Sequence, residues 1–219
     1  MTKTIKLVID PQKIAKSFFL FVCILTLINS IVLLFYFYLD DSTLYGLVRW
    51  FDFSLEYNIP SFYSSFALLL CGILLCSIYA AKKENYSYNS YWLALSVIFI
   101  FLSIDEAFII HEKIGDMVES IIIAKGFYYF PWVIPYGIAL VLFVFLFARF
   151  LLSLPRKFLV GFTGSGAMYI FGAMGLEMFG AREAELHGTT TLTYCILYTF
   201  EEFFEMSGIV LFMYMLLCY

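Results

Sequence analysis

The stretch Tyr91 to Glu112, YWLALSVIFIFLSIDEAFIIHE, decides the fold. From Tyr91 to Ile104 it carries no charge, and then Asp105 and Glu106 arrive together, followed by His111 and Glu112. On a helix rising about 1.5 Å per residue the two acids sit roughly 20 Å along the run. That is still within the outer part of a hydrocarbon core about 30 Å thick. A charge at such depth costs at least a few kcal/mol unless it is paired, protonated or facing water, so ionisable groups there mark function by default. Helical phase sorts them: Asp105 and Glu112 share a face with Phe108, and Asp116 and Glu119 extend it as a wet external face if the helix continues. A regular helix keeps Glu106 and His111 apart, so a kink or a partner helix is needed to bring them together. Thr199 to Glu205, TFEEFFE, repeats the pattern of acids on an apolar segment.

The rest of the chain has the same character. Of 219 residues 63% are hydrophobic and 14% charged, with a mean hydropathy of +0.92, which is the composition of an integral membrane protein. No run of sequence is left over for a separate soluble domain. Acidic residues outnumber basic ones, 17 to 13, and no long basic run is present, so nucleic acid is excluded as a partner and membrane lipids are expected. The five cysteines form no C-x-x-C pair and read as small packing residues. The N-terminal segment runs on too long for a signal sequence and reads as a retained first helix.

Runs long enough to span, at roughly 20 residues each, occur six times, near 17–38, 60–81, 91–110, 129–152, 157–180 and 193–217. The expected fold is therefore an all-α integral membrane bundle of six transmembrane helices in one domain. Lys3, Lys6, Lys13, Lys16, Lys82, Lys83, Arg149, Arg156 and Lys157 fall on one side; Arg49, Lys113, Lys125 and Arg182 fall on the other. The positive-inside rule then makes both termini cytoplasmic. The first outer joint, Asp40 to Asn58, contains LYGLVRWFDFSL and suggests a helix in the headgroup layer with Trp50 and Phe51 as anchors. The fourth span begins near Pro131 and Pro135, which favours a kink, and the fifth is rich in glycine, which favours close helix packing.

With this topology Asp105, Glu106, His111, Glu177, Glu183, His187, Glu201, Glu202 and Glu205 all lie in the outer half. On the sixth span Tyr194, Tyr198, Glu201, Glu202 and Glu205 form one polar seam. Nearby cations are too few to neutralise these carboxylates, so the excess is protonated, hydrated or bound to cations. Several carboxylates with two imidazoles suit a divalent metal of the Fe, Mn or Zn type. The expected ligands are drawn from Asp105, Glu106, His111, Glu177, His187, Glu202 and Glu205, with Glu202 and Glu106 as proton-handling catalytic groups and Tyr194, Tyr198 and Glu201 facing the substrate. The Glu-x-x-His spacing of di-iron bundles is absent. Glu183 and His187 stand at i,i+4 if that segment is helical, and pairing of Glu183 and Glu185 with Arg182 is the alternative for those acids.

Ser103-Ile104-Asp105-Glu106-Ala107-Phe108 and Thr199-Phe200-Glu201-Glu202-Phe203-Phe204 share one pattern, 96 residues apart, and the second and fifth spans echo each other at an offset of 100. A 3+3 inverted repeat is compatible with this. The combination of S-I-D-E-x4-H-E, a glycine-rich span ending in glutamate, and Thr199, Glu201, Glu202, Glu205, Met206 and Gly208 resembles a family of small uncharacterised bacterial inner-membrane proteins. That resemblance covers the last three-fifths of the chain and implies a bacterial inner-membrane location without an activity. Two histidines do not supply the zinc site of ceramidase-like hydrolases or the histidine boxes of desaturases. The paired aspartates of CDP-alcohol phosphotransferases are missing, and Glu201-Glu202 lacks the arginine of CAAX-type glutamic proteases. Three readings stand: a metal-dependent membrane enzyme acting on a lipid-soluble or outer-leaflet substrate, a cation- or proton-coupled transporter, and a non-catalytic assembly or sensory subunit. A homo-oligomer is compatible with the sequence.

Overall fold

The computed structural model describes residues 10–38, 45–82 and 88–219. Lys3, Lys6, Lys83 and the first residues of the Asp40–Asn58 joint lie outside them. Asp10 opens the first helix: its Oδ1 accepts from Gln12 N (3.1 Å) and Lys13 N (3.2 Å), and Pro11 follows where a helix needs no N–H. Helix α1 therefore covers Pro11–Tyr38, starting before the expected boundary. After it come α2 (Tyr45–Phe51) and α3 (Ile59–Ala81). Helix α4 (Asn89–Phe108) stops at Ile109, whose φ of 52° and ψ of 50° are left-handed, and α5 (Ile110–Glu119) starts in a new direction. A 3-10 turn at Gly126–Tyr128 and Pro131 delay α6 to Val133–Leu152. The glycine-rich run forms α7 (Arg156–Ile170), a π-helical segment (Phe171–Leu176) and α8 (Glu177–His187), so this helix continues past the expected end at 180. Thr191 caps α9 (Leu192–Cys218) by accepting from Tyr194 N.

Five of these helices are long and apolar enough to cross a membrane: Pro11–Tyr38, Ile59–Ala81, Asn89–Phe108, Val133–Leu152 and Arg156–His187. Helix α9 matches them in length, with 27 residues, but carries Glu201, Glu202 and Glu205. No strand occurs among the described residues. Among the described residues the chain is all-helical, and five of its helices have the length and apolar composition of membrane spans.

Small residues set the helix contacts, as apolar surface alone gives helices in lipid no reason to associate. Helices α3 and α4 are joined by Ser65 Oγ donating to Ser103 O, Ser103 Oγ to Ser65 O and Ser96 Oγ to Gly72 O, each 2.8 Å. On the other side Gly208 of α9 lies against α7 so closely that a Cβ would be 2.7 Å from Tyr169 N and 3.0 Å from Ser165 O. A Cβ on Gly172 would be 2.6 Å from Glu201 O and 3.0 Å from Glu205 N. Gly72 and Gly172, the pair at the 100-residue offset, thus both sit at close crossings. Their registers differ: Gly72 meets Ser96 and Ile100, whereas at the 96-residue offset the counterparts of Glu201 and Glu205 are Asp105 and Ile109.

One end of the bundle is closed by aromatic packing. Trp92 is fully buried between Phe150 (5.1 Å, edge-on) and Tyr219 (4.7 Å), and Phe99 stacks on Phe212 at 4.5 Å. Lys82, at this end, donates to the Tyr219 hydroxyl at 2.9 Å. Toward the opposite end Asn29 of α1 is completely buried, donating to Thr199 Oγ1 at 2.9 Å and accepting from Phe53 N at 3.1 Å. One amide thereby ties α1 to α9 and to the loop that follows α2.

Candidate functional site

The open end of the bundle is built around two backbone departures. Tyr57 and Ile109 have φ of 57° and 52°, and among the described residues they are the non-glycine residues with positive φ. A β-branched residue such as Ile109 pays steric strain in that region, and such strain persists only where surrounding contacts over-determine it. At Ile109 the contacts come from Asp105. Its Oδ1 accepts from His111 N at 2.7 Å and lies 3.2 Å from His111 Nδ1, while its Oδ2 accepts from Tyr136 OH at 2.7 Å. Asp105 is 5% exposed. The helix break supplies the kink that a regular helix lacked, and it turns the His111 ring back over Asp105 and against Trp132, 5.1 Å away.

At Tyr57 the contacts come from Asn58. Its amide donates to Asp52 O (2.7 Å) and Leu55 O (2.6 Å), and its oxygen accepts from Ser61 N at 3.0 Å. This wraps residues 52–58 into a tight loop ahead of α3 and turns Glu56 inward, where Oε2 accepts from Ser61 Oγ at 3.1 Å. The two departures meet: one ligand-type atom from each of Glu56, His111 and Glu112 lies within 4.8 Å of the others. Glu56 and His111 are half-buried and Glu112 is exposed, so the group forms a mouth open to solvent.

Behind that mouth stand the deeper acids. Glu106 lies within electrostatic reach of Glu202, Glu56 and Asp105. Glu202 lies within reach of Glu205, Glu56 and Glu177, and Glu205 within reach of Glu106, Glu177 and Glu56. Glu177 follows the π-helical segment directly, accepts from Trp132 Nε1 at 3.0 Å and stands within hydrogen-bonding reach of Glu201. π-Helical turns recur at functional sites, since the extra residue re-aims the side chains that follow. All five glutamates keep part of their surface accessible, and this acidic group contributed by α4, α8 and α9 constitutes the crevice. Tyr194 borders it beside Glu177 and Glu201.

The crevice does not hold every expected residue. His187 pairs with Glu183 at 3.0 Å, and Thr191 Oγ1 donates to the same carboxylate. With its side chain 60% exposed, His187 stands on the outside of α8, apart from the His111 group. The i,i+4 spacing brings this pair together, and in doing so it turns His187 away from the His111 group. Tyr198 is buried in the cluster with Val22, Leu25 and Met206 and reaches Asp52. Glu112, Asp116 and Glu119 are exposed, as the wet-face reading has it, but they do so on a separate helix rather than as an extension of α4.

Residues 18–219 match a family described as Domain of unknown function, DUF8692. The chain belongs to that family. No curated protein and no solved structure was found to match it. The DUF8692 domain contains every residue of the mouth and of the crevice.

Glu56 escaped the sequence reading because it stands alone in a loop and reads as a solvated acid. The available signal was Asn58-Ile59-Pro60-Ser61: an N-cap and an early proline fix where α3 begins and hold the preceding residue close to the bundle. Tyr169 is a second omission, within electrostatic reach of Glu205, Glu106 and Asp105.

Electrostatics at the mouth couple the two sides. Burial pushes the Glu56 carboxyl above the usual carboxylate range, opposed by His111 and by the Ser61 hydrogen bond. Burial alone would lower the His111 pKa, but the hydrogen bond and charge of Asp105, with Glu56 and Glu112 nearby, outweigh it and hold the imidazole above its ordinary value. A histidine raised in this way adds stability that is complete below the unfolded pKa and is lost as pH rises through the folded one. Only two histidines are present, so their ring-proton resonances are readily told apart. In chelator-treated, metal-free protein His111 is expected to titrate above a free histidine, and Asp105→Asn is expected to bring its midpoint down. An unchanged midpoint in that variant would dismiss Asp105 as the source of the shift.

Proposed function

We propose that this chain is a six-span bacterial inner-membrane protein, with both termini cytoplasmic, that binds a divalent metal on the outer side and uses it on a lipid-soluble or outer-leaflet substrate. The observation that carries the reading is the convergence of Glu56, His111 and Glu112 to within 4.8 Å. In the tautomer with the proton on His111 Nδ1, that proton is directed at Asp105, which leaves Nε2 to ligate; an outer carboxylate of this kind orients a metal-binding imidazole and raises its basicity. Two carboxylates and one imidazole suit Fe, Mn or Zn, and three protein ligands leave room for water or substrate. Within the earlier ligand set, His111 stays a ligand and Asp105 becomes its support. Glu106 and Glu202, deeper in the crevice, are assigned to proton transfer, with Tyr194 and Glu201 along the substrate's path.

The topology rests on Lys13, Lys16, Lys82, Arg149, Arg156 and Lys157 at the closed end, against Arg49, Lys113, Lys125 and Arg182 at the open end. Counting α9 as the sixth span follows from its length and from the burial of its second half. A cation- or proton-coupled transporter is the second reading, and what favours it is the excess of deep glutamates over the needs of one ion. The aromatic plug at Trp92 and Phe150 favours one-sided access instead. Elemental analysis of the purified protein tests the proposal: about one divalent metal per chain is expected. Protein that is metal-free after purification and takes up none of Fe(II), Mn(II) or Zn(II) in a titration would dismiss it, and pH-driven flux in sealed vesicles by such protein would favour transport.

A further inference from the structure

Helix α5 is polar on one side and apolar on the other, and the far end of its apolar side lacks protein cover. Ile110, Ile114, Met117 and Ile121 recur at the helical period and share one face. Met117 is 67% exposed and Ile121, in the turn that follows, 82%. Glu112, Asp116 and Glu119 occupy the opposite face, and the flank at Gly115 is buried against Trp132. The turn adds Ile123, 85% exposed, and farther along come Lys125 and the exposed rings of Tyr128 and Tyr129. An uncovered isoleucine cluster of this size is abnormal in water.

We propose that α5 and the turn Ile121–Ile123 lie along the bilayer surface at the open end of the bundle, with the apolar stripe buried in the acyl boundary and the acidic face toward water. Continuity identifies lipid as the occupant. Ile104 and Phe108, on the last turns of membrane-spanning α4, are 45% and 59% exposed, and α5 follows after the single buried residue Ile109, so its stripe, half-buried at Ile110 and Ile114 and open from Met117 on, begins at the end of a membrane span. Tyrosines and a lysine just past the stripe are the residue types that settle at headgroup level. The helix has the opposed faces of an interfacial element, and its short length suits lying on a membrane rather than crossing it. His111 and Glu112 belong to this helix, so the mouth of the crevice is held at the depth where headgroups lie. The inference rests on the membrane reading of the spans and is independent of any metal.

Single cysteines placed at Met117, Ile121, Asp116 and Glu119 test it. All four positions are exposed, so the substitutions leave the packing undisturbed. Each variant is labelled with an environment-sensitive fluorophore in phosphatidylcholine vesicles, the signal from the five native cysteines being subtracted with unmodified protein. Labels at Met117→Cys and Ile121→Cys are expected to be quenched by nitroxide-bearing lipids and about tenfold less by aqueous iodide than labels at Asp116→Cys and Glu119→Cys. Equal iodide quenching at all four positions would overturn the proposal by showing the stripe in water. Stripe labels reached by neither quencher would overturn it equally, since that is what burial beneath a second copy or another protein produces.

Discussion

Glu56→Gln and His111→Ala are each expected to purify with less than about a tenth of the divalent metal held by the unmodified protein, because removing one of three ligands costs more than the 10–100-fold typical of losing an outer-shell partner. Each change is local. Glutamine at position 56 can still accept the Ser61 hydroxyl, now 3.1 Å from Glu56 Oε2, so the loop keeps its support while the charge is lost. His111→Ala leaves the backbone bond from His111 N to Asp105 in place. Asp105→Asn, which weakens the support of the ring and of the Ile109 turn but removes no ligand, should fall between these variants and the unmodified protein. Glu183→Gln and His187→Ala are the controls: they remove the same chemical groups from a pair that stands 3.0 Å apart on the exposed side of α8, and metal content should stay unchanged. Full metal occupancy in both Glu56→Gln and His111→Ala would move the ion elsewhere and end the proposal.

Gly208→Val is the largest structural effect foreseen. The valine Cβ would stand 2.7 Å from Tyr169 N and 3.0 Å from Ser165 O. Both contacts are backbone, so no rotamer change relieves them, and α7 and α9 must separate. Overpacking of this kind costs about 3 kcal/mol. Separation would also widen the crossing at Gly172 and with it the crevice, since Gly172 lies against Glu201 and Glu205. Gly164→Ala, on the same helix α7 with nothing within 4 Å of the new Cβ, should instead stabilise by about 1 kcal/mol through helix propensity. Thermal unfolding of the detergent-solubilised variants should therefore move in opposite directions. A Gly208→Val protein that melts with the unmodified one would show that the crossing yields.

What could be read from the sequence followed the range of the interactions involved. Membrane character and the helices came from composition and run length, which are local, and their ends shifted only where a cap or a break acted: Asp10 extended α1 backward, and the π-helical segment carried the fifth run on to His187. Convergence of Glu106, Glu177, Glu202 and Glu205 was legible because helical phase and bilayer depth together constrain acids on several spans. The mouth was not. Glu56 is brought to His111 by the Asn58 loop and by the left-handed turns at Tyr57 and Ile109. Nothing in the residue types Tyr and Ile announces that backbone geometry. His187 misled for the converse reason: its nearest chemistry, Glu183, lay one turn away and satisfied it locally.

The buried amide of Asn29 has a bearing on how the protein is made. Its Nδ2 acceptor, Thr199, is 170 residues downstream, so during synthesis that donor waits through nearly the whole of translation before the final helix reaches it. Until then the Phe53 segment has its Asn29 bond but no anchorage to α9, and Glu56 beyond it hangs from an unfinished scaffold. Assembly is accordingly ordered in time, with the tie between Asn29 and α9 made last, and a nascent chain halted before Thr199 would already carry five long apolar helices yet lack that tie.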